Sequence, residues 1–167
     1  DYSGSVIGKL KGSDENAPSI IIGSHYDSVK YGGNFDGIAG IICGVEIARK
    51  LKENNIKLKY PLEIMGINDE EGVRFGTGFF GSKAMMGMIT SDDLSKYKDE
   101  DNISIYEAMK EYGLQPEKIV EMSRDTDTIK SFLEIHIEQG PILESNKKDI
   151  GVVKYIVGMQ RYIISIF

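Results

Sequence analysis

The stretch Ser19-Ile20-Ile21-Ile22-Gly23-Ser24 places three β-branched residues in a row with no polar alternation. A strand with one wet face alternates, so an unbroken apolar run suits a central strand covered on both sides. His25, one of only two histidines in the 167 residues, stands at the end of this run. Tyr26-Asp27-Ser28 and then Gly32-Gly33-Asn34-Phe35-Asp36-Gly37 follow it, and a helical pattern begins directly after Asp36. A buried strand, a polar loop and a helix start form the usual setting for a site at the edge of an α/β sheet.

The remaining elements are read against that strand. Val6 to Gly12 alternates loosely and ends in the turn signal Gly12-Ser13-Asp14-Glu15-Asn16, which predicts a short edge strand. From Gly37 to Lys52, Ile38, Ile41, Ile42, Val45, Ala48 and Leu51 recur at helical spacing, with Glu46, Arg49, Lys50 and Lys52 outward. Asn54-Asn55 closes the helix, and a second strand runs from Pro61 to Ile67. Strand, helix and strand of these lengths make a βαβ unit with parallel pairing. Asn68-Asp69-Glu70-Glu71-Gly72-Val73-Arg74-Phe75 therefore leaves the sheet at the same end as His25. A short helix is expected around residues 81–87, and the acid-rich 91–102 stretch reads as a solvated connection. Two small helices, Ile105 to Tyr112 and Pro116 to Met122, are separated by Gly113. A third strand from Ser131 to Ile137 carries His136 near its end, and a fourth is expected over Ile150 to Val157, with strand-like residues continuing from Gly158 to Phe167. There is no internal repeat or low-complexity segment.

Composition bounds the function classes. Hydrophobic residues at 41% and charged residues at 28% are globular proportions. The formal net charge of −6 argues against nucleic acid as a partner. No apolar run approaches the roughly 18 residues needed to cross a bilayer. The first residues show neither the basic start nor the apolar stretch of a signal peptide. Cys43 is the single cysteine, which excludes an intrachain disulfide and suits a reducing compartment. The expectation is a cytoplasmic protein without membrane contact.

Three strand ends thus present polar clusters: His25 and Asp27 with Asp36, then Glu70 and Glu71, then His136. Imidazoles and carboxylates are what zinc and similar divalent ions prefer. A carboxylate such as Asp36 can bridge two ions roughly 3.5–4 Å apart. Asp27, two residues beyond His25, could accept the imidazole's second N–H and so fix the tautomer that binds metal. Glu70 and Glu71 diverge in extended backbone, so one can ligate while the other takes a proton from water. No cysteine or serine has the neighbours of a nucleophile. Each piece alone has an ordinary structural reading: a histidine after a strand, a glutamate pair in a solvated turn, Asp36-Gly37 as a helix cap. Cys43 reads as a small core residue.

Several longer motifs carry a family resemblance. They are Gly23-Ser24-His25-Tyr26-Asp27-Ser28-Val29, Gly32-Gly33-Asn34-Phe35-Asp36-Gly37 and Glu70-Glu71-Gly72-Val73-Arg74-Phe75. Gly81-Ser82-Lys83-Ala84, the run from His136-Ile137-Glu138-Gln139-Gly140 to Glu144, and Ile150-Gly151-Val152-Val153 follow in order. The chain resembles the dinuclear-metal amidohydrolases of the N-carbamoyl-L-amino-acid hydrolase, allantoate amidohydrolase and β-ureidopropionase group, within the metallopeptidase-like aminoacylase superfamily. The resemblance implies an α/β three-layer sandwich with a mostly parallel central sheet. It implies that His25, Asp36 and His136 hold one metal, and that Asp36 bridges to a second held also by Glu71. Glu70 would be the general base, Asp27 the partner of His25, and Gln139 a substrate contact. The metals would be zinc, or manganese, cobalt or nickel.

The resemblance also has departures. It covers the N-terminal part of the catalytic domain, residues 1–157, with residues 158–167 leading into a lid and dimerisation domain. A last histidine ligand of the second metal, a substrate-binding arginine and the lid residues have no counterpart here, so this segment alone is expected to be inactive. The full-length protein would be a homodimer acting on a small carbamoyl or ureido compound, first of all an N-carbamoyl-L-amino acid. Allantoate, β-ureidopropionate, and N-acyl or dipeptide substrates stay open, as does a non-catalytic metal-binding module.

Overall fold

The computed structural model describes residues 1–158, 162 and 164–166. They form two compact units, residues 1–137 and residues 138–167. The first unit holds a four-stranded sheet of β1 (Val6–Leu10), β2 (Ser19–His25), β3 (Leu62–Ile67) and β4 (Ile129–Leu133), in the order β1-β3-β2-β4. β2 is parallel to both β3 and β4, and only the edge strand β1 is antiparallel. The mostly parallel α/β architecture is thus the one expected. In the β2–β3 register His25 stands beside Ile67, so the residues after each strand leave the same end of the sheet.

Helix α1 (Ile38–Glu53) covers one face through residues that lack side chains. A Cβ on Gly44 would meet Ile22 Cγ2 and Ile64 Cγ2 at 3.1 Å, and one on Gly40 would overlap the Ile135 carbonyl. Ile22 and Ile64 point to this face. Ile21, Met65 and Ile67, at alternate positions, pack on the other face with Met85 and Ile129. α2 (Phe80–Met85) reaches that second face through Met85 and packs in turn with a layer of α3 (Ser91–Lys96), α4 (Ile105–Tyr112) and a 3₁₀ helix (Pro116–Met122). Phe80, Ala84, Leu94, Ile105, Met109 and Ile119 form their shared core. Helices on both faces make the expected three layers.

The N-terminal segment is tied beneath the same edge. Ser3 and Ser5 are buried and share a hydroxyl–hydroxyl hydrogen bond of 2.9 Å. The Asn68 amide N–H donates to Ser5 Oγ at 3.1 Å, and its side-chain amide donates to the Ser3 carbonyl at 2.8 Å. Asn68 is the first residue of the loop that carries Glu70 and Glu71.

Four expectations are corrected. The 91–102 stretch is not merely a connection: Thr90 and Asp93 make a reciprocal capping box that starts α3, and Leu94, 1% exposed, anchors it. On α1 the buried contacts belong to Gly40 and Gly44, whereas Ile38, Ile42 and Val45 are exposed. Close approach of the helix backbone to the sheet needs small residues, which outweighs the apolar periodicity. The third strand begins and ends earlier than expected, at Ile129–Leu133, because its ladder with β2 stops at Ile22 and Leu133. His136 lies in the loop beyond.

Residues 150–157 form no strand. β-branched residues supply propensity, but a strand needs a ladder partner, and none pairs with them among the described residues. The second unit contains α5 (Ile142–Ser145), whose first amides are capped by Glu138: Ile142 and Leu143 N–H donate to its carboxylate at 2.9 and 2.8 Å. The strand-like continuation from Gly158 falls partly outside the described residues. No helix among the described residues is long and apolar enough to cross a membrane.

Candidate metal centre

His25 is delivered by the last residue of β2 and Asp36 by the loop before α1. Gly37 makes their approach feasible: its φ of 65° is in the left-handed region, and a Cβ there would overlap the His25 ring and carbonyl. His25 and Asp36 are both buried. Asp36 Oδ1 lies 3.2 Å from His136 Nε2 and 3.8 Å from His25 Nε2. The two Nε2 atoms are 3.3 Å apart.

The other ring nitrogens fix the tautomers. His25 Nδ1 lies 2.8 Å from the Asp27 carbonyl oxygen, and His136 Nδ1 lies 2.9 Å from the Ile137 carbonyl oxygen. A carbonyl only accepts, so in each neutral ring Nδ1 carries the proton and Nε2 an unshared pair. Two imidazole lone pairs and a carboxylate oxygen converge on one small space. That donor set fits a divalent cation. A second group, His25 with Glu70 and Glu71, likewise has ligand atoms within 4.8 Å of one another. His25 belongs to both groups, whereas the sequence pointed to Asp36 as the shared residue.

Asp27 departs from its expected contact. Its Oδ1 is 3.7 Å from His25 Nδ1, beyond hydrogen-bonding distance, and the main-chain carbonyl makes that bond instead. The carboxylate accepts the amides of Glu70 at 3.0 Å and Glu71 at 2.9 Å. Burial pushes the Glu70 carboxyl above its usual range; His25 opposes this, and Glu71, Asp27 and Glu134 add to it. A carboxylate raised in this way is a better proton acceptor near neutral pH. Asp69 is pushed up to about 6, first by burial and then by the charge of Asp27.

Two further placements matter. Glu134 accepts the Ser24 hydroxyl at 2.6 Å and lines a cavity of about 340 Å³ with His25, Glu70, Phe79, Met85 and Phe132. Sequence reading passed over it, although its place two residues before His136 was a usable signal. Gln139 belongs to the second unit, with a left-handed φ of 56°, and is not in the unit that carries the cluster.

Comparison with known proteins bears on what this geometry serves. The sequence matches the profile of peptidase family M20/M25/M40 over residues 21–164. The chain belongs to that family. Among curated relatives, an N-carbamoyl-L-amino-acid amidohydrolase of Paenarthrobacter aurescens is 42% identical over 160 residues, 96% of this chain and 39% of the relative. An allantoate amidohydrolase of Bacillus subtilis is 36% identical over 166 residues, 99% of this chain and 40% of the relative. A crystal structure of AtUAH in complex with (S)-hydroxyglycine superimposes with a TM-score of 0.80 at 32% identity, covering 88% of this chain and 36% of that one. The chain thus spans about two-fifths of the length of the curated relatives it matches.

Proposed function

We propose that this chain is the water-activating part of a metal-dependent hydrolase of linear C–N bonds in carbamoyl or ureido compounds, with N-carbamoyl-L-amino acids as the foremost substrates. One observation carries the reading: His25, Asp36, His136, Glu70 and Glu71 converge at one end of a mostly parallel sheet in an M20 chain. The names of the relatives at 36–42% identity supply the substrate class.

On this reading His25, Asp36 and His136 would hold one divalent ion, and Glu71 with Asp36 would serve a second. Such ions, zinc or else manganese, cobalt or nickel, would polarise the substrate carbonyl and acidify a nearby water. Glu70 then takes the proton of the attacking water on a carboxylate oxygen and returns it to the leaving nitrogen. The carbonyls of Asp27 and Ile137 keep His25 and His136 in the tautomer that presents Nε2. Gln139 is a substrate contact. Products from an N-carbamoyl-L-amino acid would be the amino acid, ammonia and carbon dioxide. Residues 1–157 belong to the catalytic domain and 158–167 lead into a lid domain of a cytoplasmic homodimer, as the resemblance implies.

The test is ammonia release by the full-length protein from N-carbamoyl-L-amino acids, allantoate and β-ureidopropionate, with and without added metals. Metal-stimulated release, abolished by a chelator, is expected with one of the three. Release from none of them, with turnover of N-acyl amino acids or dipeptides instead, refutes the substrate class. A protein that binds no divalent ion refutes the mechanism.

A further inference from the structure

Asp27 joins the two halves of the cluster, and it does so through different atoms. Its carbonyl oxygen serves His25, while each carboxylate oxygen holds one successive amide, Glu70 N–H on Oδ1 and Glu71 N–H on Oδ2. Those amides sit where β3 has ended. Asp69 is left-handed there, with φ of 50°, so the chain turns sharply just before Glu70. From the other side, the Asp69 and Glu70 carbonyls accept the amides of Phe80 at 2.9 Å and Phe79 at 2.7 Å. The peptide planes on both sides of Glu70 are therefore pinned, and their orientation sets where the two glutamate side chains diverge. A charged acceptor on two amides is about twice as strong as a neutral one.

We propose that the Asp27 carboxylate is the positioning group of the Glu70–Glu71 pair, holding the proton-transfer carboxylate and the ligand carboxylate in their relative places, while His25 is oriented by the Asp27 main chain. This deepens the function proposed above and rests on it. In this role Asp27 acts through the amides of Glu70 and Glu71. Removing its charge should leave the His25, Asp36 and His136 group in place and misplace the other.

Asp27→Asn is the discriminating variant, because it keeps the size and one carbonyl acceptor but turns an NH₂ toward an amide. Asp27→Ala is its companion. In the full-length protein three quantities are read: hydrogen exchange at the Glu70 and Glu71 amides against that of Met65, divalent-ion binding by calorimetry, and kcat against KM. Expected for Asp27→Asn is at least tenfold faster exchange at Glu70 and Glu71 with Met65 unchanged. One ion should bind as in wild type and the other more weakly, and kcat should fall roughly 10–100-fold with KM within about twofold. Asp27→Ala should be worse than Asp27→Asn in each respect. A kcat within about twofold of wild type overturns the proposal. So does equal weakening of both ions with activity restored by excess metal, which would assign the carboxylate to His25. If the wild-type protein neither binds metal nor turns over a ureido substrate, the functional reading fails. Exchange at the two amides, which needs neither ligand, then decides the positioning role alone, and unchanged protection in Asp27→Asn sinks it.

Discussion

Replacing Arg124 with alanine should expose how the helical layer is fastened to the sheet. Glu63 lies within β3 with its carboxylate buried. Arg124 grips it with two nitrogens, Nη1 to Oε2 at 2.6 Å and Nη2 to Oε1 at 3.0 Å. Ser19 donates to Oε1 at 2.7 Å, and Lys9, half exposed, lies 3.3 Å from the same oxygen. The Arg124 amide also bonds the last residue of α2, donating to the Met85 carbonyl at 2.8 Å. Removing one partner of a buried pair typically costs about 3–5 kcal/mol, because the other charge is stranded. Ser19 and Lys9 stay behind to share the stranded charge, so we expect the low end, about 3 kcal/mol. With a urea slope of about 2 kcal/mol/M, the unfolding midpoint falls by about 1.5 M.

The pH dependence of that loss follows from Glu63. Burial alone would raise its carboxyl, but hydrogen bonds from Arg124 and Ser19, with the Arg124 charge, outweigh burial and lower it from 4.5 to about 2. A group lowered on folding gives its full stabilisation above its unfolded value and loses it as pH falls through the folded one. The gap between wild type and Arg124→Ala should therefore be complete above pH 4.5 and close toward pH 2. Glu63→Gln, combined with Arg124→Ala in a double-mutant cycle, should show strong coupling between the two. A gap under about 1 kcal/mol at neutral pH, or one that does not narrow in acid, would refute the account.

Four further substitutions test the packing around the site by urea unfolding and metal titration. Gly37→Ala puts a non-glycine residue at φ 65° and a Cβ into the His25 ring, so metal affinity should fall at least about tenfold together with roughly 1–3 kcal/mol of stability. Gly40→Ala should destabilise more than Gly44→Ala, since the first strikes the Ile135 backbone and the second meets isoleucine methyls that can shift; the reverse order would disprove the close approach of α1. Thr90→Ala removes the capping box of α3 and should lower stability by about 1 kcal/mol without touching metal binding.

The strands that build the site were legible because their apolar runs end in polar clusters, and parallel pairing then forces those ends together. β2, β3 and the Glu70–Glu71 loop follow from that logic alone. Less legible was anything decided by what touches what. The glycines of α1 carry its buried contacts, yet they add nothing to an apolar periodicity. Asp27 had the right spacing to reach His25, but the chain also brings it two free amides from a loop more than forty residues away. Residues 150–157 have strand composition, and composition cannot supply a neighbouring strand. α3 was hidden by its acids, although Thr90 and Asp93 stand at capping-box spacing.

The serine network at the start of the chain bears on how the protein can be shortened or tagged. A boundary drawn at Val6, where regular structure begins, would remove Ser3 and Ser5. Those residues are the acceptors for Asn68, and Asn68 opens the loop that presents the two glutamates. Trimming the molecule to its first strand would thus loosen the Glu70–Glu71 loop more than sixty residues downstream, and any shortened version should begin before Ser3.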